Sequence, residues 1–174
     1  MNYKDNKTKF VLKFIVPLLI IGVIAGIFIL KSSEQKLVAD TNDEFALEAT
    51  SIDLKQLKSY GLPIVIDFGA DSCVPCKEMA PVLKKLNKEM QGKAIIKFVD
   101  VWKNKNAADN FPVDLIPTQF YFDKDGNPFV PKDPEAMQMM MYSTKDTNKH
   151  IYTAHQGGMT EAQLRAVLKE MGVE

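Results

Sequence analysis

The chain has 174 residues with 22 basic and 22 acidic side chains, a formal net charge of zero, and only two cysteines and two histidines. That length suits one domain with a real core and is too short for two once an N-terminal segment is set aside. The charges form no basic stripe, so nucleic acid is excluded as a partner.

Met1 to Lys9 is basic on balance, and Phe14 to Leu30 follows as 17 residues without a charge. Such a run sits at the lower limit of a membrane span. Phe10, Val11 and Leu12 lengthen it around Lys13, whose stem snorkels to the interface. Lys4, Lys7, Lys9 and Lys13 precede the run, whereas Lys31 and Lys36 beyond it are offset by Glu34 and Asp40, so the positive-inside bias places the N-terminus in the cytoplasm. A cleaved signal peptide is the alternative. Lys31-Ser32-Ser33-Glu34-Gln35-Lys36 argues against it, having neither a small-x-small cleavage site nor a lipidation cysteine. The expectation is a cytoplasmic tail at 1–9, a single-pass signal anchor in the plasma membrane at 10–30, a polar tether at 31–48 and an extracytoplasmic domain at 49–174. Residues 1–31 hold five lysines and one aspartate, which leaves 17 basic against 21 acidic side chains for the rest.

Within that domain a short helix is expected from Ser51 to Tyr60, with Ser51 as N-cap and Gly61 and Pro63 as its stop. Ile64 to Phe68 is a continuous apolar run around Asp67, the pattern of a central strand covered on both faces. Met79, Val82, Leu83, Leu86 and Met90 recur at helical spacing, giving a helix from Cys76 to Met90 with a kink at Pro81, ended by Gly92. Ala94 to Val101 reads as a second strand, Asn104 to Phe111 as a shorter helix closed by Pro112, and Thr118 to Phe122 as a third strand. Asp125-Gly126 is expected to turn that strand into Phe129-Val130. The last helix starts at Thr160, with Gln163 three residues on as a capping box, and buries Leu164, Val167, Leu168 and Met171. Strands alternating with helices make a layered α/β domain.

Both cysteines lie in Ser72-Cys73-Val74-Pro75-Cys76-Lys77, at the end of the first strand and the start of the long helix. Unpaired backbone N–H groups there stabilise a thiolate, the setting of a redox dithiol with Cys73 as nucleophile and Cys76 as resolver. A structural bridge closing so short a loop adds little stability. A zinc site on the pair needs two further ligands, with only His150 and His155 left as nitrogen donors. Both histidines read as surface or hairpin residues with no catalytic role. Asp67, flanked by apolar residues, is a buried acid with a raised pKa, suited to moving a proton at the resolving thiol.

Val65-Ile66-Asp67-Phe68-Gly69-Ala70-Asp71-Ser72-Cys73-Val74-Pro75-Cys76-Lys77 resembles the active-site segment of the thioredoxin family, with its acid six positions before the first cysteine. Pro81 is similar to the proline of the family's active-site helix. Ile116-Pro117-Thr118 resembles its cis-proline loop, Lys97 its buried lysine near the acid, and Gly157-Gly158 the glycine before its last helix. The resemblance covers about residues 50–172. It implies a three-layer fold, a central mixed β-sheet flanked by helices, and a thiol-disulfide oxidoreductase with no cofactor beyond a Cys73-Cys76 redox disulfide. Pro75 resembles the reducing members, including the anchored thioredoxins of cytochrome c maturation. That implies protein disulfides as substrates and a membrane electron donor of the DsbD or CcdA kind. A dithiol oxidase or isomerase is the second reading. The third is a copper(I) chaperone using Met137, Met139, Met140 and Met141 with the histidines. Gly69 and Ser72 stand where cytoplasmic thioredoxins commonly carry tryptophan, so the partner surface is expected to differ. Residues 132–149 read as an insertion, with a short helix from near Pro134 setting Met137, Met140 and Met141 on one face.

Overall fold

The computed structural model describes residues 45–174, so the expected tail, the anchor at 10–30 and most of the tether lie outside the described residues. Phe45 to Ala49, at the end of the expected tether, run alongside a strand of the domain: Phe98 N–H donates to the Leu47 carbonyl at 2.7 Å and Ala49 N–H to the Phe98 carbonyl at 2.9 Å.

In chain order the elements are α1 (Leu54–Ser59), β1 (Ile64–Gly69), α2 (Val74–Glu89), β2 (Ile95–Asp100), a 3-10 turn (Lys105–Ala108), β3 (Thr118–Phe122), β4 (Met139–Ser143), β5 (His150–Gln156) and α3 (Glu161–Glu170). The strands form one sheet in the order β2-β1-β3-β5-β4. β1 and β2 run parallel, joined by the α2 crossover, and the remaining pairs are antiparallel.

Alternation along the strands feeds two cores. Val65, Ile96 and Tyr121 meet Met79, Leu83 and Leu86 of α2 and Leu164, Val167 and Leu168 of α3 on one face. Ile64, Ile66, Phe68, Ile95, Phe120 and Phe122 meet Leu57 of α1 on the other. The expected three-layer α/β arrangement is therefore present. β1 is buried along its whole length, as its unbroken apolar run requires. The capping box at Thr160 forms as expected, with Thr160 Oγ1 accepting from Gln163 N–H and Gln163 Oε1 accepting from Thr160 N–H.

Four local expectations need correction. The cap of α1 is Asp53, not Ser51, because the Asp53 carboxylate accepts from Gln56 N–H at 3.0 Å. The helix expected over 104–111 is one 3-10 turn of four residues; Phe111 lies beyond it and packs with its ring tilted against Phe68 and Phe120, at centroid distances of 4.8 Å and 5.0 Å. Asp123 closes the turn after β3 by accepting from Asp125 and Asn127 N–H, but Phe129-Val130 does not return as a strand. Pro128 and Pro131 lack donors for a ladder, so pairing there stops at a single bridge and β5 takes the edge of β3.

The methionine segment is the fourth. A lone turn capped by Asp133 ends at Gln138, whose φ is 53°, and Met139 to Ser143 then extend as the edge strand β4. The spacing of Met137, Met140 and Met141 fits that turn-then-strand path as well as it fits a helix. Met139 is buried and Met137 packs on the same core, while Met140 and Met141 alternate across the strand. Two of the four thioethers therefore belong to the α2/α3 core and two to the exposed edge strand, not to one helix face. Among the described residues, no group of three or more His, Cys, Asp or Glu is placed to hold a metal.

Candidate active site

Cys73 is the N-cap of α2, with extended backbone at φ −79° and ψ 128°, and Cys76 lies in the helix's first turn. The two form a disulfide across a Cα separation of 5.3 Å. Cys73 is 9% exposed and Cys76 4%, so the N-cap cysteine is the more exposed of the two. Pro75 occupies the first turn, where its missing N–H removes no helical hydrogen bond. Pro81 is inside α2.

The Ile116-Pro117 peptide is cis, as the resemblance implies, and the Ile116 carbonyl oxygen lies 3.9 Å from Cys73 Sγ. Thr118 begins β3, fully buried, and its hydroxyl donates to the Leu115 carbonyl at 2.7 Å, which ties the loop to the strand.

Asp67 sits on β1 beneath the disulfide with 1% of its surface exposed. Burial pushes its carboxyl up to about 7, and the hydrogen bond from Gln119 partly opposes that rise. Gln119 Nε2 donates to Asp67 Oδ1 at 2.8 Å, whereas Oδ2 has no hydrogen-bond partner. Lys97 does not stand beside this acid. The β1/β2 register pairs Asp67 with Phe98 and Ile66 with Lys97, so the lysine projects on the opposite face of the sheet. Its ammonium donates to the Ala46 carbonyl at 2.8 Å.

Three polar residues were not assigned to the site from sequence. Asp100, at the end of β2, accepts from the backbone N–H groups of Asp71, Trp102 and Lys103 at 2.9–3.0 Å, pinning the loop before Cys73 to the loop after β2. Burial pushes its carboxyl up, but those N–H groups and the Lys103 ammonium outweigh burial and hold it below the usual carboxylate range. Gln119 is fully buried. His155, expected as a surface or hairpin residue, does lie on the antiparallel β4/β5 pair but is 3% exposed, with its Nδ1 3.0 Å from Gln119 Oε1. Burial lowers its pKa, against a Gly157 backbone hydrogen bond. A polar residue at the inward register of an apolar strand, as Gln119 is in Thr118-Gln119-Phe120-Tyr121-Phe122, was the available signal.

Outside the disulfide, Trp102, Val74 and Leu115 are exposed apolar side chains. A cleft of about 410 Å³ runs beside the cis-proline loop and is lined by Trp102, Phe111, Asp114, Leu115 and Ile116 among others.

The thioredoxin family model matches residues 53–144, more than half of the chain. A thioredoxin of Staphylococcus aureus is 40% identical over 82 residues, covering 47% of this chain and 77% of that protein. Thioredoxin 1 of Chlorobaculum tepidum is 41% identical over 66 residues, and a thioredoxin of Rickettsia conorii 32% over 68; the match spans 65% of each of those proteins. The solved structure of a chloroplastic thioredoxin z has a TM-score of 0.49 at 19% identity, covering 73% of this chain and 94% of its own. The family match runs from α1 through β4 and takes in the disulfide, the buried acid and the cis-proline loop, so this chain belongs to the thioredoxin family.

Proposed function

We propose that this protein is a thiol-disulfide oxidoreductase that reduces protein disulfides, held at the outer side of the plasma membrane by residues 10–30 with its N-terminus in the cytoplasm. The observation that carries the chemistry is the Cys73-Cys76 pair at the mouth of α2, facing the Ile116 carbonyl and backed by Asp67.

In the reduced protein the free N–H groups at the start of α2 favour the Cys73 thiolate. That thiolate attacks one sulfur of a substrate disulfide, forming a mixed disulfide and releasing the other sulfur as a thiolate that takes a proton from solvent. The backbone at Ile116 offers strand-like hydrogen bonds that align the substrate segment. Cys76 then gives its proton to Asp67 and attacks Cys73 Sγ, which closes the protein disulfide and expels the reduced substrate. Two electrons pass from the dithiol to the substrate, and an acid titrating near 7 is matched to that proton transfer. Re-reduction outside the cytoplasm calls for a dithiol carrier in the membrane of the DsbD or CcdA kind. The charge-free run Phe14 to Leu30 and the lysines before it support the anchor and its orientation.

The reduction potential tests the direction: equilibration with glutathione is expected to give a value nearer thioredoxin's roughly −270 mV than the strong oxidase's roughly −120 mV. A value above about −180 mV overturns it in favour of an oxidase or isomerase. Protease protection in intact and lysed spheroplasts tests the topology, with the domain expected to be cleaved in both.

A further inference from the structure

At one level across the sheet, Phe98, Asp67, Gln119, His155 and Met139 occupy partnered positions on β2, β1, β3, β5 and β4. The three central members are polar, buried and joined. Gln119 Nε2 lies 2.8 Å from Asp67 Oδ1 and 3.2 Å from the Gly157 carbonyl oxygen, and Gln119 Oε1 lies 3.0 Å from His155 Nδ1.

This geometry fixes the hydrogens. The Gly157 carbonyl can only accept, so the NH₂ end of Gln119 must face it and the Asp67 carboxyl. Turning the amide over would set its oxygen against that carbonyl. Oε1 is therefore the atom facing His155, and since an amide oxygen cannot donate, the histidine carries its hydrogen on Nδ1. Both donors of the Gln119 amide and its acceptor are used, the His155 ring also bonds the Gly157 backbone, and the bonds through the amide run in one direction from the ring to Asp67. A satisfied buried chain of this kind holds its members in one arrangement. At its end Asp67 Oδ1 is occupied and Oδ2 is left without a partner.

We propose that Gln119 and His155 are positioning residues: His155 orients the Gln119 amide, and that amide holds the Asp67 carboxyl so that Oδ2 is the oxygen available to Cys76. This rests on the proton transfer proposed above and assigns it to one atom. The Cys76 proton moves to Oδ2 while Oδ1 keeps its bond from Gln119 in both charge states; the sulfur keeps the electron pair that then forms the bond to Cys73. Because Gln119 donates to the carboxyl, it also favours the charged form and opposes the upward push of burial. The other titratable groups toward Asp67 are Cys76 from α2, Tyr121 from β3, whose hydroxyl contacts Met159 Sδ at 2.9 Å, and His155 from β5 through Gln119.

The test follows the Asp67 side-chain carboxyl by carbon NMR in the reduced full-length protein across pH, alongside the pH profile of the resolving step in single turnover. Gln119→Leu is expected to raise the Asp67 midpoint by about one to two pH units, the scale of one lost hydrogen bond to a charged group. His155→Leu is expected to give a smaller rise. Gln119→Leu alone strands the His155 N–H, so Gln119→Leu/His155→Leu, which removes both partners, keeps the test available if the single variant does not fold. An unchanged Asp67 midpoint in the folded double variant overturns the assignment. A raised midpoint with a matching rise in the resolving-step profile supports it. A raised midpoint with an unchanged profile supports the positioning and instead removes the proton-transfer reading on which it was built.

Discussion

Asp67 and Cys76 face one gap: a Cβ added at Gly69 would stand 3.5 Å from Asp67 Oδ2 and 3.2 Å from Cys76 Sγ. The missing side chain leaves the acid and the Cys76 sulfur with nothing larger than a hydrogen between them from this residue. The same Cβ would meet the Phe98 ring at 2.9 Å, closer than packing allows, so the ring fills space that a larger residue at 69 would need.

Gly69→Ala tests that gap. The backbone at Gly69 is outside the left-handed region, so the methyl group itself is the perturbation. Overpacking predicts a loss of about 1–3 kcal/mol in stability. Stopped-flow exchange should show the resolving step slowed more than the first attack; equal slowing of both would place the gap outside the proton path.

Replacing the cysteines separates their roles. Cys73→Ser should abolish disulfide reduction, and Cys76→Ser should accumulate a mixed disulfide with substrate that is visible by mass spectrometry under non-reducing conditions. Activity retained in Cys73→Ser and lost in Cys76→Ser would reverse the assignment of nucleophile and resolver.

Asp67 makes folding depend on pH with a definite sign. Its carboxyl titrates at about 7 in the folded chain and near 3.9 when unfolded, so the native state binds more protons between those values. Stability is full below pH ~4, falls as pH rises, and is flat again above ~7 as far as this group is concerned. A shift of that size corresponds to a loss on the order of 4 kcal/mol. Asp67→Asn should flatten that slope and be the more stable protein at pH 8. Urea denaturation of the oxidised forms across this range checks it; parallel curves for the two proteins would mean that the acid is not held as described.

Trp102 is exposed and lines the cleft that reaches Ile116, beside Cys73. Exposed tryptophan at a groove is the residue type that dominates binding energy. Trp102→Ala should raise KM for a protein disulfide about tenfold, on the scale of 1.4 kcal/mol, and raise it less for a small aromatic disulfide. Equal effects on both substrates would remove the cleft from recognition.

The methionines of β4 divide by face. Met139→Ala should cost about 2–4 kcal/mol, because its side chain fills the α2/α3 core. Met140→Leu and Met141→Leu should stay within about 0.5 kcal/mol in thermal denaturation, since both positions are partly solvated. A large loss in either leucine variant would mean that sulfur contacts matter on this edge.

The sequence by itself determined what local chemistry decides. The apolar run around Asp67 required a strand covered on both faces, Thr160 with Gln163 marked a helix start, and two cysteines at a strand-to-helix junction pointed to a redox dithiol ahead of a structural bridge or a metal site. Each reads within about one helical turn of chain, where propensity, capping and periodicity act.

Tertiary structure decided the rest, through register. Lys97 and Phe98 are neighbours in sequence on opposite faces, and only the alignment of β2 against β1 settles that Phe98 shares the face of Asp67. β4 and β5 carry weak local signals, because Pro128 and Pro131 interrupt the segment before them and methionine spacing fits both turn-then-strand and helix. Without β5 in view, nothing local in the sequence pairs His155 with Gln119, and it reads as a surface or hairpin residue. Closing the sheet puts His155, 36 positions beyond Gln119, and Asp67, 52 positions before it, level with that residue, where the three buried polar groups bond to one another and leave Asp67 Oδ2 without a partner, near the gap at Gly69 that Cys76 Sγ also borders.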